Sequence, residues 1–165
     1  MDAYLDIETT GLSSQTSDIT VIGLYLVNSH NSKLIQLVGE NITAAGLIES
    51  FSGVENLYTY NGKRFDLPFI DNKIGVNLET MAAHRDLMFD CWDCNLKGGL
   101  KIVEQKLGIY RKSVGMSGLD AVLLWERYKR LNDLAALKKL LEYNREDVIN
   151  LKILREKLNY FSISD

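Results

Sequence analysis

The apolar and polar positions change their period as the chain proceeds. Residues 2–7, 19–27 ("ITVIGLYLV") and 33–38 ("KLIQLV") are short runs rich in β-branched and aliphatic side chains, and the turn-like "NSHNS" separates the last two. They predict three strands joined as an antiparallel meander. From "NITAAGLIESF" the spacing becomes helical, broken by "NLYTY" at 56–60, which reads as a fourth strand. Residues 64–74 predict a helix with Pro68 in its first turn, the one place a helix tolerates it, and a short strand is expected near 82–87. Most of the remainder is helical. "GLKIVEQKLG" has apolar residues at 100, 103 and 107 and a glycine stop, "SGLDAVLLWERYKRL" continues the theme, and 133–158 predicts a long amphipathic helix. A meander, then alternating helix and strand, then a helical C-terminal third, predicts a mixed-sheet α/β domain.

Composition adds bounds. The 165 residues, 46% of them hydrophobic, suffice for one domain over 1–165 with a core that needs no disulfide or metal staple. No apolar stretch approaches the roughly 18 residues of a membrane span, and no signal peptide is legible, so a cytoplasmic protein without a membrane partner is expected. A formal charge of −3 argues against the broad basic footprint of a protein that wraps a duplex, although the stretch 97–106 can still meet phosphates. Cys91 and Cys94, in "CWDC", lie too close to staple a fold.

The acids carry the chemistry. In "YLDIETTGL" alternate residues of a strand share a face, so Asp6 and Glu8 point one way and Leu5 and Ile7 the other. Alone, that pair reads as a solvated acidic face. Asp66, in "YTYNGKRFDLPFI", stands just before a predicted helix, where the free N–H groups favour an acid. In "YNREDV", Tyr143 and Asp147 are spaced i, i+4 and fall on one helix face, which is also compatible with an ordinary charged surface. Together they suggest more. Phosphodiester hydrolysis at neutral pH needs charge neutralisation and an activated water, and two divalent ions about 3.5–4 Å apart supply both. Hard ions such as Mg²⁺ or Mn²⁺ take carboxylate oxygens, and acids from a strand, a helix start and a distant helix can converge on them.

These segments resemble the DEDD exonuclease superfamily, which has a ribonuclease H-like fold. "DIETTGL" is similar to its first motif, "NGKRFDLPF" to its second and "YNREDV" to its third, in matching order across nearly the whole chain. The resemblance implies that Asp6, Glu8, Asp66 and Asp147 bind two divalent cations and that nucleotides are removed from a 3′ end of single-stranded DNA or RNA. One branch of the superfamily places a histidine five residues before the last aspartate, where this chain has Glu142. The other places a tyrosine four residues before it, which is Tyr143. The sequence thus resembles the tyrosine branch, and within it the compact domains described only as predicted exonucleases, with some similarity to the proofreading domains of family B polymerases. Length excludes a whole polymerase. Tyr143 is expected to orient the attacking water and not to accept its proton, because an ordinary phenol stays protonated at neutral pH.

Thr9 to Leu12 follow the acid pair, and the resemblance implies that Thr9 and Leu12 touch the terminal base or sugar. Asn61, in the turn before Asp66, is a further candidate substrate contact or simply good turn chemistry, and Phe65, next to Asp66, is the fourth candidate substrate contact. Lys101 reads as a helix-surface lysine, with phosphate contact as the alternative. His84 and Asp86, in "HRDL", read as structural residues at a strand end near the site. Trp125 reads as core. A lone C-x-x-C, with only His30 and His84 to help, makes zinc or redox chemistry the lesser reading of "CWDC". The competing function is a catalytically silent domain of the same fold that binds nucleic acid or a protein. The sequence itself distinguishes neither RNA from DNA nor any protein partner.

Overall fold

The computed structural model describes residues 1–163, with side chains through residue 159. The last two residues of the expected 1–165 domain lie outside that description. Three strands, β1 (Asp2–Thr9), β2 (Ile19–Val27) and β3 (Ser32–Val38), form the antiparallel meander. After a 3₁₀ turn, helix α1 (Ala44–Ser50) leads to β4 (Asn56–Thr59) and α2 (Asp66–Ile74), then to β5 (Ala83–Asp86). Pro68 is the third residue of α2, inside the first turn. The strands β4 and β5 run parallel to β1, and the sheet order is β3-β2-β1-β4-β5.

Helices α3 (Leu87–Asp93), α4 (Leu100–Lys106), α5 (Gly118–Leu131) and α6 (Leu134–Ile163) complete the chain. The short α3 has no counterpart in the hydrophobic pattern. Its start is set instead by Asp86, whose Oδ1 accepts the Met88 N–H at 3.1 Å as an N-cap. The sheet is covered on both faces. Ala3, Leu5 and Ile7 of β1 pack with Leu47, Phe51, Leu67 and Ile70 of α1 and its end and of α2, while Tyr4 packs with Leu87, Val103, Leu151 and Leu154 of α3, α4 and α6. This is the alternation expected of β1, and it aims Asp6 and Glu8 at the α6 side. Among the described residues no helix is long and apolar enough to cross a membrane.

Candidate active site

Two details of β1 shape the site before any helix arrives. Its pairing with β2 shifts between Glu8 and Thr9, where Glu8 faces Val21 but Thr9 faces Ile19, so Thr20 is an extra residue on β2. Such bulges twist a strand end and re-aim its side chains. Opposite Asp6 stands Gly23. A Cβ there would lie 2.2 Å from Asn144 Oδ1, so only glycine lets Asn144 of α6 approach the strand. Asn144 Nδ2 donates to the Asp6 carbonyl at 3.2 Å and to Asp6 Oδ2 at 3.3 Å, and Gln36 Nε2 fixes the amide by donating to its Oδ1 at 3.0 Å.

On that frame Asp6, Glu8 and Asp147 converge, one oxygen from each lying within 4.8 Å of the others. Glu8 and Asp147 are buried, and among the described residues Glu8 Oε1 has no hydrogen-bond partner. Burial pushes the Asp6 and Glu8 carboxyls well above the usual carboxylate range, and the charge of Asp147 pushes both further. Burial also raises Asp147 to about 6, against the opposing pull of Arg111. Asp66 stands slightly apart. As the first residue of α2 it turns Oδ1 to the Ile7 N–H at 3.1 Å, yet burial and its acidic neighbours raise it to about 7. The sequence predicts four convergent acids, and the structure assembles three, with the fourth electrostatically coupled beside them.

Tyr143 is buried on the same side, and its hydroxyl is the acceptor of a short hydrogen bond from Lys101 Nζ. Lys101 is therefore not the surface residue the sequence suggests. Its Nζ also donates to the Met116 carbonyl at 2.8 Å, and Asp6, Lys101, Ile102, Tyr143 and Asp147 line one recess of about 390 Å³. A second recess of about 390 Å³ opens beside Glu8, lined by Thr9, Leu12 and Phe65 together with Leu119 and Val122 of α5. Three of the four predicted substrate residues thus share one apolar pocket against the acids. The fourth, Asn61, is in neither lining. Its φ of 64° and its N–H, donated to Asp86 Oδ1 at 2.7 Å, make it a turn residue.

Other expectations resolve as packing. Asp86 ties the Asn61–Lys63 turn to α3, and His84 Nε2 meets Thr59 Oγ1 at 2.9 Å. Trp125 packs in the cluster of Val21, Ala121 and Leu140. Cys91 is buried with its thiol pushed up to about 12, and among the described residues the only group of three possible metal ligands is Asp6, Glu8 and Asp147.

Two further residues at the site, Arg111 and Glu104, are not marked by any sequence motif. Arg111 Nη2 donates to Asp147 Oδ1 at 2.5 Å, and both residues are buried. A signal existed for Glu104, a charge on the apolar stripe of α4 between Val103 and Leu107. Arg111 lies in an irregular segment, where no periodicity marks a buried position.

The donor set fits a hard divalent cation. Three clustered carboxylates, one with an unpartnered buried oxygen, form an oxygen cage whose mutual repulsion a cation relieves.

The model of an RNase H superfamily family, RNase_H_2, matches residues 3–159. No curated protein matches the sequence. Among solved structures, the apo form of a nuclease superposes with a TM-score of 0.67 at 21% identity, over 99% of this chain and 74% of that one. The family B DNA polymerase of Pyrobaculum calidifontis gives 0.68 at 17%, over 95% of this chain and 24% of the polymerase. Brucella melitensis NrnC bound to pGG gives 0.65 at 20%, over 96% and 72%, and NrnC with bound Mg²⁺ gives 0.61 at 16% over the same shares. At these identities the likeness is one of fold, and that fold is ribonuclease H-like.

Proposed function

Because the chain belongs to the RNase H superfamily, we propose that it is a metal-dependent nuclease of the tyrosine branch of DEDD enzymes, removing nucleotides from the 3′ ends of single-stranded nucleic acid. The observation that carries this reading is the acid cluster, with Glu8 and Asp147 buried and a Glu8 oxygen that has no partner among the described residues. A binding module gains nothing from three carboxylates that raise one another's energy. Asp6, Glu8 and Asp147 would hold a divalent cation, and with Asp66 the set suffices for two, as Mg²⁺ or Mn²⁺. When bound, such ions neutralise phosphate charge and lower the pKa of water.

The protein's own groups do the rest. Hydrolysis joins a water oxygen to phosphorus and releases the 3′ oxygen of the preceding nucleotide. Tyr143 cannot take the water's proton, since burial lifts its phenol above an already high value. With its oxygen accepting from Lys101, it keeps its own O–H to donate to a water or phosphate oxygen in the recess it lines. Lys101 places positive charge beside the same recess. The apolar pocket of Thr9, Leu12 and Phe65 receives the terminal nucleotide, and its wall of Leu119 and Val122 suits a base face better than a phosphate.

Degradation of 5′-labelled single-stranded DNA and RNA in Mg²⁺ or Mn²⁺ tests the proposal. A ladder shortening one nucleotide at a time from the 3′ end is expected. Rapid cutting of a circular single strand, or no metal-dependent cleavage of either polymer, contradicts it.

A further inference from the structure

The buried network behind Asp147 has a charge balance that packing alone does not require. Arg111, 7% exposed, lies in the irregular segment between α4 and α5. Its Nε and Nη2 donate to the two oxygens of Glu104 at 2.8 and 2.7 Å, and Glu104 is 1% exposed. Asn150 Nδ2 adds a bond to Glu104 Oε1 at 2.9 Å. An arginine with a bidentate carboxylate needs no second acid in order to be buried. Yet Nη2 also donates to Asp147 Oδ1.

The segment carrying Arg111 is fastened to α6 on both sides of Asp147. The Glu146 carboxylate accepts the N–H groups of Lys112 at 2.7 Å and Ser113 at 3.0 Å, and Asn150 Nδ2 donates to the Tyr110 carbonyl at 3.3 Å. Helix α6 thus sets where the guanidinium meets its own aspartate.

We propose that Arg111 is a positioning residue that fixes the Asp147 carboxylate, and that Glu104 is the charge compensator that lets an arginine stand there without repelling a divalent cation. The inference rests on the reading of Asp147 as a metal ligand. A directed bond to Oδ1 sets the plane of the carboxylate and hence the direction in which Oδ2 presents its lone pairs. A lone guanidinium giving that bond would oppose cation entry where both groups are so buried. Paired with Glu104 it carries no net charge, so orientation comes without repulsion.

Calorimetric titration of the whole chain with Mn²⁺, beside single-turnover cleavage in saturating Mn²⁺, tests this. Glu104→Gln leaves the arginine uncompensated and is expected to weaken Mn²⁺ binding by about 10- to 100-fold. Glu104→Gln/Arg111→Met removes both charges. Its affinity is expected to return to within about threefold of the unaltered protein, while cleavage stays slower by about 10- to 100-fold because Asp147 is no longer held. A double variant that binds Mn²⁺ as weakly as Glu104→Gln, or cleaves at the unaltered rate, overturns the proposal. Arg111→Lys serves if Glu104→Gln does not fold, since it keeps the charge balance and loses the fork. Unchanged affinity with slowed cleavage is expected, and parallel loss of both overturns it. Absence of Mn²⁺ binding by the unaltered chain overturns the metal-site reading itself, and is thereby told apart from failure of this inference.

Discussion

The two carboxylates on β1 and the one on α6 meet at one place but are held by opposite means. Among the described residues Asp6 has only the amide of Asn144, and Glu8 has an oxygen with no partner. Asp147 is gripped by a guanidinium that is itself gripped by Glu104. The strand side is therefore left in electrostatic debt, and the helix side is prearranged. A site of this kind is expected to be rigid where a ligand must point in one direction and unsatisfied where a cation is to be drawn in.

The largest expected effect comes from removing an acid on either side. Asp6→Asn and Asp147→Asn should each lower cleavage by at least about 10³-fold, the scale of several kcal/mol of transition-state charge stabilisation, with the far-ultraviolet circular dichroism unchanged. A variant that folds and keeps its rate breaks the assignment. Next is the Lys101–Tyr143 pair, which borders both sides. Tyr143→Phe should slow single-turnover cleavage by about ten- to a thousandfold with Mn²⁺ affinity unchanged, and undiminished rates would return the residue to a packing role. Smaller again is Leu12→Ala, at the exposed rim of the pocket beside Glu8. It should raise KM by about tenfold or less and leave kcat nearly unaltered.

The smallest effects are on stability, and they separate the two sides. Asp66 and Asp147 titrate near 7 and 6 in the folded chain, above the ordinary aspartate value, so the folded state binds more protons than the unfolded one over that range. Stability without metal is then fully present below about pH 4 and is lost as pH rises through 6 and 7. Thermal melting should fall between pH 5 and pH 8 in chelator, with divalent metal reducing the fall. At pH 8, Asp6→Asn should raise the metal-free Tm by a few degrees by removing repulsion. Asp147→Asn should raise it less, because it also replaces the charge-assisted bond from Arg111 with a weaker neutral one. Equal shifts in the two variants would erase the distinction.

How much of this was legible in the sequence follows the same division. The acid pair, its strand and its face could be read because a two-residue period fixes direction, and the meander announced itself through β-branched runs. Tyr143 and Asp147 were legible through helical spacing. The sequence suggests a surface lysine at Lys101 because the register of α4 says which face it occupies but not that Tyr143 of α6 will meet it there. Nothing local marks Arg111, since the segment that carries it is held against α6 by the Lys112 N–H donating to Glu146 and by Asn150 donating to the Tyr110 carbonyl, across more than thirty residues of chain. The turn of Asp66 towards the Ile7 N–H is likewise a tertiary fact that no local pattern carries. Asn61 is legible as a turn former, and the left-handed conformation it adopts agrees with that reading.

The most direct test of the central claim is the anomalous difference map of a crystal soaked in millimolar Mn²⁺. A peak bonded to Asp6, Glu8 and Asp147, and lost in Asp6→Asn, is expected. No peak among these three carboxylates, or a peak that persists at full height in Asp6→Asn, would contradict it.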